Sequence, residues 1–176
     1  MSARGFTIRP AGKDDADALT GLMRALHTHL KEPTEHISPQ ALLRDVFAQG
    51  SVFTVLIAEQ GSNLVGYALF HETYESAYAH RGAYMADLYV AESARRQGVA
   101  RALVAGVAAQ AKARDLKFMW WVSEAWDENA QAFYAALGAT HDPFIAHALS
   151  FDAFEKLVRE GMSQKGSANG VSDKSK

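Results

Sequence analysis

The chain has 0 cysteines among its 176 residues. That excludes a disulfide scaffold, a thiolate nucleophile and any cysteine-ligated zinc or iron–sulfur centre. Only 4 prolines interrupt it, and no stretch approaches the roughly 18 consecutive apolar residues that a membrane span requires. The opening MSARGFTIRP has no apolar run of the signal-peptide kind, so a cytoplasmic protein is expected. An excess of one charge is missing as well. A formal net charge of -2 and a pI near 6.4 supply no general attraction to nucleic acid or to an anionic membrane.

What is present is apolar. At 48% hydrophobic and 22% charged residues, the chain can build one sizeable core. A single domain over residues 1–160 is expected. The closing GMSQKGSANGVSDKSK holds only Met162 and Val171 as apolar side chains of any size, so residues 161–176 read as a disordered tail.

Hydrophobic periodicity gives an alternating order of strands and helices. A short strand over Phe6 to Arg9 precedes a helix opened by Asp14 or Asp15 and marked by Ala18, Leu22, Ala25 and Leu26. Thr28 to Ile37 reads as a polar connection, and Ser38-Pro39 as the cap and first residue of a second helix. Strands follow over Phe53 to Glu59, Leu64 to Thr73 and Ala83 to Val90, then a helix over Gly98 to Arg114. FMWWV at Phe118 to Val122 is nearly continuous in large apolar residues, as in a strand covered on both faces. An Ala-rich helix runs from Asp127 or Glu128 to Leu137, a strand from Phe144 to Ser150, and a short helix from Asp152 to Arg159. Strand, helix and strand in the middle imply a parallel pair, and the class is mixed α/β.

The most informative stretch is AYMADLYVAESARRQGVARALV, Ala83 to Val104. A strand ends at Val90 and Arg95-Arg96-Gln97-Gly98-Val99-Ala100 runs directly into a helix. The first helical turn has N–H groups without internal partners and carries the positive end of the helix dipole. Gly98 lets a phosphate approach the backbone, Ala100 keeps the next turn slim, and two arginines add charge. This suits a diphosphate cradle; it also suits an ordinary loop with two solvated arginines. The GxxxxGK[ST] and GxGxxG patterns are absent, which removes support for nucleotide hydrolysis and Rossmann-type dinucleotide binding.

Downstream, WDENAQAFYAALGA places Tyr134 beside Phe133, about 100° apart on a helix, so that one can be core and the other line a cleft. A tyrosine hydroxyl is protonated at neutral pH and can serve a leaving thiolate as an acid; a half-buried aromatic of no catalytic role is the alternative. His27, His29 and His36 lack the spacing of a metal site, and no HExxH occurs. No metal is expected.

Taken in order, the ADLYV strand, the RRQGVA turn, the FMWWV strand and AQAFYAALGA resemble the GNAT superfamily of N-acetyltransferases. HETYESAYAHRGAYMADLYV further resembles its diamine and polyamine acetyltransferase branch. The resemblance implies a mixed sheet of six or seven strands, with central parallel strands splayed to admit acetyl-CoA. It also implies direct acetyl transfer to a small primary amine acceptor, and a homodimer. Leu88, Tyr89 and Val90 would present strand backbone to the pantetheine arm. Arg95, Arg96, Gln97, Gly98, Val99, Ala100 and Arg101 would wrap the pyrophosphate. Tyr134 would protonate the leaving thiolate.

Three departures from that pattern concern Ala86, Asp127 and Arg96. The branch usually carries Glu at the position of Ala86 and the turn often opens Arg-Gly; many relatives carry Asn at the position of Asp127, which the resemblance makes a cofactor-binding residue, though aspartate cannot donate the amide hydrogen bond. Asp87 is the nearest carboxylate on the motif strand and is expected to bind or deprotonate the acceptor. By two-residue alternation it shares a face with Met85 and Tyr89. Glu35, Glu72 and Glu75 are the other acceptor-side candidates. Two rival readings use the same fold: a protein lysine or N-terminal acetyltransferase, and an acyl-CoA-binding regulatory module without turnover.

Overall fold

The computed structural model describes residues 5–149 and 151–168. Their packing divides into two units, one ending at Gly138 and one beginning at Ala139.

The first unit is built on a five-stranded sheet in the order β1 (Thr7–Pro10), β2 (Phe53–Gln60), β3 (Asn63–Glu75), β4 (His80–Val90) and β5 (Met119–Trp120). The first four strands are antiparallel neighbours. β4 and β5 are parallel, as the helix between them requires. Among the described residues the count is five strands, not the six or seven expected.

Period-two alternation along β2 and β3 sorts their side chains onto two cores. Leu56, Ala58, Ala68 and Phe70 meet one helix, α3 (Val99–Ala113), whose Val99, Leu103, Val107 and Ala111 recur at helical spacing on the buried face. Val55, Ile57 and Tyr67 meet α1 (Ala16–Leu30) and α2 (Pro39–Asp45) through Leu19, Met23, Leu26 and Leu42. Ser38 caps α2 by accepting the Ala41 N–H at 3.2 Å, with Pro39 at the first helical position.

α1 is longer than its apolar positions up to Leu26 suggest. It runs through Leu30 and closes on Lys31 with φ 61°, so Thr28 and His29 stand on a helix rather than in the polar connection. β5 is also shorter and more open than FMWWV implies. Only Met119 and Trp120 pair, and Trp120 and Val122 are exposed. The reason is position. β5 is the edge of the sheet among the described residues, so one side of it meets no neighbouring strand.

α4 (Glu128–Ala135) completes the first unit. In the second, residues 139–149 carry no regular structure. The strand expected over Phe144 to Ser150 is therefore not formed through Leu149, and Ser150 lies outside the described residues. Phe144 and Ile145 are exposed. α5 (Phe151–Ala168) extends past Arg159, so the first part of the segment read as a tail is helical, and residues 169–176 lie outside the description.

Candidate active site

β4 sets the geometry. Its register against β3 pairs Asp87 with Leu69 but Met85 with Phe70, so Ala86 is the extra residue of a bulge. A bulge breaks the alternation. Met85 packs in the α3-side core, whereas Asp87 faces the α1 side, where its Oδ2 accepts the Tyr67 hydroxyl at 3.0 Å. Tyr89 does share the Asp87 face, packing with Tyr67. The expected common face of Asp87, Tyr89 and Met85 thus holds for the first two and fails for Met85.

The same stretch of β4 has an open edge. β5 pairs with it only at Ala83↔Met119 and Tyr84↔Trp120. From Met85 to Val90 the β5-facing side of β4 has no strand partner among the described residues. Leu88, Tyr89 and Val90 therefore stand where two parallel strands have parted.

Beyond Val90 the chain makes a 3₁₀ turn over Glu92–Ala94 and enters α3 through two residues in the left-handed region, Arg96 at φ 61° and Gly98 at φ 85°. Gly98 is the N-cap of α3 and offers no side-chain cap, so the first-turn N–H groups of Val99, Ala100 and Arg101 remain for a ligand. A Cβ built on Gly98 meets nothing within 4 Å, so the turn is open at this residue. The residues present fit a diphosphate. Arg95 does not itself reach into that space. Its Nε donates to the Val90 carbonyl at 3.1 Å, and its guanidinium lies 6.0 Å from the Tyr89 ring centre. Gln97 donates to the Ser93 carbonyl at 3.0 Å, and Arg101 to the Ala136 carbonyl, the C-cap of α4, at 2.8 Å. Val99 is buried in the core. Arg96 keeps an exposed side chain at the turn.

On α4, Tyr134 packs against the α3-side core, 5.0 Å from the Trp121 ring. Both members of the adjacent pair are half-buried, and Tyr134 rather than Phe133 is the one that packs against the core cluster. The Tyr134 hydroxyl makes no hydrogen bond to a described residue. Burial, and secondarily the charge of Asp127, push its pKa up to about 12, so it holds its proton throughout the neutral range. Asp127 caps α4 by accepting the Ala130 N–H at 3.0 Å, and its second oxygen meets His29 Nε2, also at 3.0 Å. The His29 bond, followed by the cap, holds its carboxyl below the usual range.

Asp87 behaves the opposite way. Burial raises its pKa, against a lowering pull from the Tyr67 hydroxyl and the neighbouring His27, while Glu32 adds to the rise. His27 Nδ1 and Glu32 Oε2 are 2.6 Å apart, and the charges of both act on Asp87. The other acceptor-side candidates are not brought to it. Glu35 is exposed beside His36, Glu72 is paired to Arg81 at 3.1 Å, and Glu75 accepts the Ala77 N–H in the β3–β4 turn. Tyr67 is the residue that sequence reasoning missed. A tyrosine among the aliphatic residues of NLVGYALF was the available signal, since a buried hydroxyl needs a partner.

Among the described residues no cluster of three or more metal-ligating side chains occurs, and no helix is long and apolar enough to cross a membrane.

The first unit thus combines a parallel pair that parts beyond Trp120, an uncapped helix start beyond β4 and a tyrosine on α4 that keeps its proton. The family model for the GNAT acetyltransferases matches residues 21–139. A thialysine N-epsilon-acetyltransferase of Bos taurus is 30% identical over 141 residues, spanning 75% of this chain and 82% of that one. An L-ornithine N5-acetyltransferase of Arabidopsis thaliana is 34% identical over 76 residues, spanning 43% and 33% of the two chains. In fold, an integron cassette protein from the V. cholerae mobile metagenome superposes with TM-score 0.75 at 22% identity, covering 89% of this chain and 99% of that one. The chain belongs to the GNAT acetyltransferase family and is an acyl-CoA-dependent N-acetyltransferase.

Proposed function

We propose that this enzyme transfers acetyl from acetyl-CoA to a small primary amine that carries a second charged group, such as a thialysine- or ornithine-like amino acid or a diamine. The observation that carries the reading is the Asp87 carboxylate, held by Tyr67 on the face of β4 next to its open edge, with the charges of His27 and Glu32 acting on it. A half-buried carboxylate there favours a cationic acceptor. The names of the relatives support the same class of acceptor. Glu72 and Glu75 keep structural pairings in this account, and Glu35 stays outside it.

The residues divide the work as follows. The N–H groups of Val99, Ala100 and Arg101, with Gly98 in front of them, hold the pyrophosphate; Arg95 steadies the end of β4, and Arg96 adds charge at the turn. The unpaired backbone between Met85 and Val90 holds the pantetheine arm and polarises the thioester oxygen. Asp87 anchors the acceptor ammonium. Tyr134 gives its proton to the departing sulfur, a role that suits a phenol kept neutral by burial. Homodimer formation belongs to the proposal as well; exposed Trp120 on β5 and Val122 just beyond it are the apolar surface that supports it.

Thiol release from acetyl-CoA, measured against diamines, polyamines, basic amino acids, aminoglycosides and peptides, tests the assignment. Small amines with a second charge should lead in kcat/KM. A peptide or folded protein far above every small amine would transfer the reading to a protein acetyltransferase, and acetyl-CoA binding without turnover would favour the regulatory module.

A further inference from the structure

The proposed reaction still needs a proton acceptor, because an ammonium has no lone pair with which to attack. We infer that His29, oriented by Asp127, is that general base. The inference rests on the small-amine reading above and adds a residue to it.

The geometry has three parts. Asp127 is fixed at both oxygens: Oδ1 accepts the Ala130 N–H at the start of α4, and Oδ2 meets His29 Nε2, each at 3.0 Å. With Nε2 donating to the carboxylate, His29 Nδ1 carries the lone pair, and it makes no hydrogen bond to a described residue. The imidazole is also held from the side, with its ring 5.5 Å from that of Trp126. A carboxylate on one ring nitrogen, fixed elsewhere by its own bond, leaves the other nitrogen as an oriented base.

Position links this base to the acid. Tyr134 stands on α4, which Asp127 caps seven residues earlier, and the Asp127 charge acts on its phenol. Helical side chains lean toward the N-terminus, so the Tyr134 hydroxyl reaches back along α4 toward Asp127. His29 stands on the other side of the same carboxylate, at the end of α1. α1 packs on the sheet face that carries Asp87. The residue that takes the acceptor's proton and the residue that protonates the sulfur are therefore both linked to one aspartate, His29 by a direct bond and Tyr134 through the helix it caps.

Asp87 and His27 are less suited to the task. Asp87 Oδ2 is occupied by Tyr67, and His27 is tied through Nδ1 to Glu32, a half-exposed carboxylate beyond the end of α1. The charged groups around His29 are Asp127 from α4 and, from its own end of α1, Lys31, whose Nζ lies 5.5 Å from the Trp126 ring centre.

The step balances simply. His29 Nδ1 takes one proton from the acceptor ammonium, and the freed lone pair forms the C–N bond to the thioester carbon of acetyl-CoA. The C–S bond breaks, with its electron pair going to sulfur, which takes the Tyr134 proton. The attacking nitrogen then loses its surplus proton to solvent as the phenolate regains one. Products are the acetamide, free coenzyme thiol and the proton on His29.

The test is the pH profile of kcat/KM for wild type, His29→Gln and Asp127→Asn with the best acceptor amine, alongside acetyl-CoA affinity by calorimetry. Glutamine keeps a donor for Asp127 and cannot take the proton; asparagine keeps the α4 cap. His29→Gln should lose about 10²-fold or more near pH 7, keep its cofactor affinity, and recover toward wild type as rising pH deprotonates the amine unaided. Asp127→Asn should lose less, about 10-fold. A His29→Gln profile within twofold of wild type overturns the assignment, as does an equal loss at every pH, which would make the pair a structural clasp. A wild type inert toward every amine overturns the small-amine reading and this one together; an active wild type matched by His29→Gln overturns this one alone.

Discussion

Met85 and Asp87, two residues apart on β4, face opposite sides of the sheet because Ala86 between them is bulged out of register. Without the bulge Asp87 would share the α3-side core with Met85. With it, a carboxylate meets Tyr67 and the end of α1, and the strand is turned just where β5 departs. A one-residue irregularity thus sends two residues of one strand to different surroundings.

Asp87→Asn should expose the cost of that arrangement. Burial raises the Asp87 pKa above its unfolded value near 3.9. The penalty is absent in acid and grows as pH rises through the folded pKa. The variant should therefore melt about 2–4 °C higher at neutral pH, with the gap closing in acid, because its side-chain carbonyl still accepts from Tyr67. Its acceptor KM should rise about tenfold or more, with cofactor affinity unchanged. Thermal melts across pH and steady-state kinetics check both halves.

The turn into α3 makes a paired prediction. Arg96 occupies φ 61°, where a side chain costs about 1 kcal/mol relative to glycine. Arg96→Gly should leave stability level or slightly raised and weaken acetyl-CoA binding only by the loss of one exposed charge. Gly98→Trp should do the reverse. Its side chain enters the open turn ahead of the first-turn N–H groups, so affinity should fall by at least about tenfold, with about 1–2 kcal/mol lost to backbone strain. Calorimetry with melts separates the two.

Away from the site, Arg9 of β1 holds Asp15 at 2.8 Å and Glu59 at 3.0 Å. The Asp15 pKa is lowered, chiefly by the Arg9 hydrogen bond. A depressed carboxylate adds stability above its unfolded pKa and loses it as pH falls through the folded one. Asp15→Asn should cost about 1 kcal/mol at neutral pH, discounted for the partly exposed arginine, and nothing once both states are protonated. Denaturant titrations at pH 7 and below pH 3 check this.

Periodicity carried most of the fold. The continuous apolar runs Val55 to Ala58 and Tyr67 to Phe70 announce strands covered on both faces, and Val99, Leu103, Val107 and Ala111 announce α3. The start of α3 after RRQG was legible because helix starts are local; the faces of α4 were not, since Tyr134 and not Phe133 packs on the α3-side core. Three things were not local. The bulge at Ala86 depends on what β3 offers opposite it, so alternation along one strand put Met85 on the wrong face. FMWWV announces burial but says nothing of being an edge, where Trp120 stays exposed. His29 meets Asp127 across 98 residues of chain, and neither residue is unusual by itself.

The central claim is that transfer is direct and that Tyr134 protonates the leaving thiolate. Tyr134→Phe keeps the ring against Trp121 and the α3-side core, so fold and cofactor affinity should hold. Loss of a general acid lowers kcat by about 10²- to 10⁴-fold when chemistry limits turnover. Steady-state kcat of Tyr134→Phe, measured with acetyl-CoA affinity on the same preparation, should show that drop with binding little changed. A kcat within about twofold of wild type, under conditions where chemistry is rate-limiting, would contradict the claim.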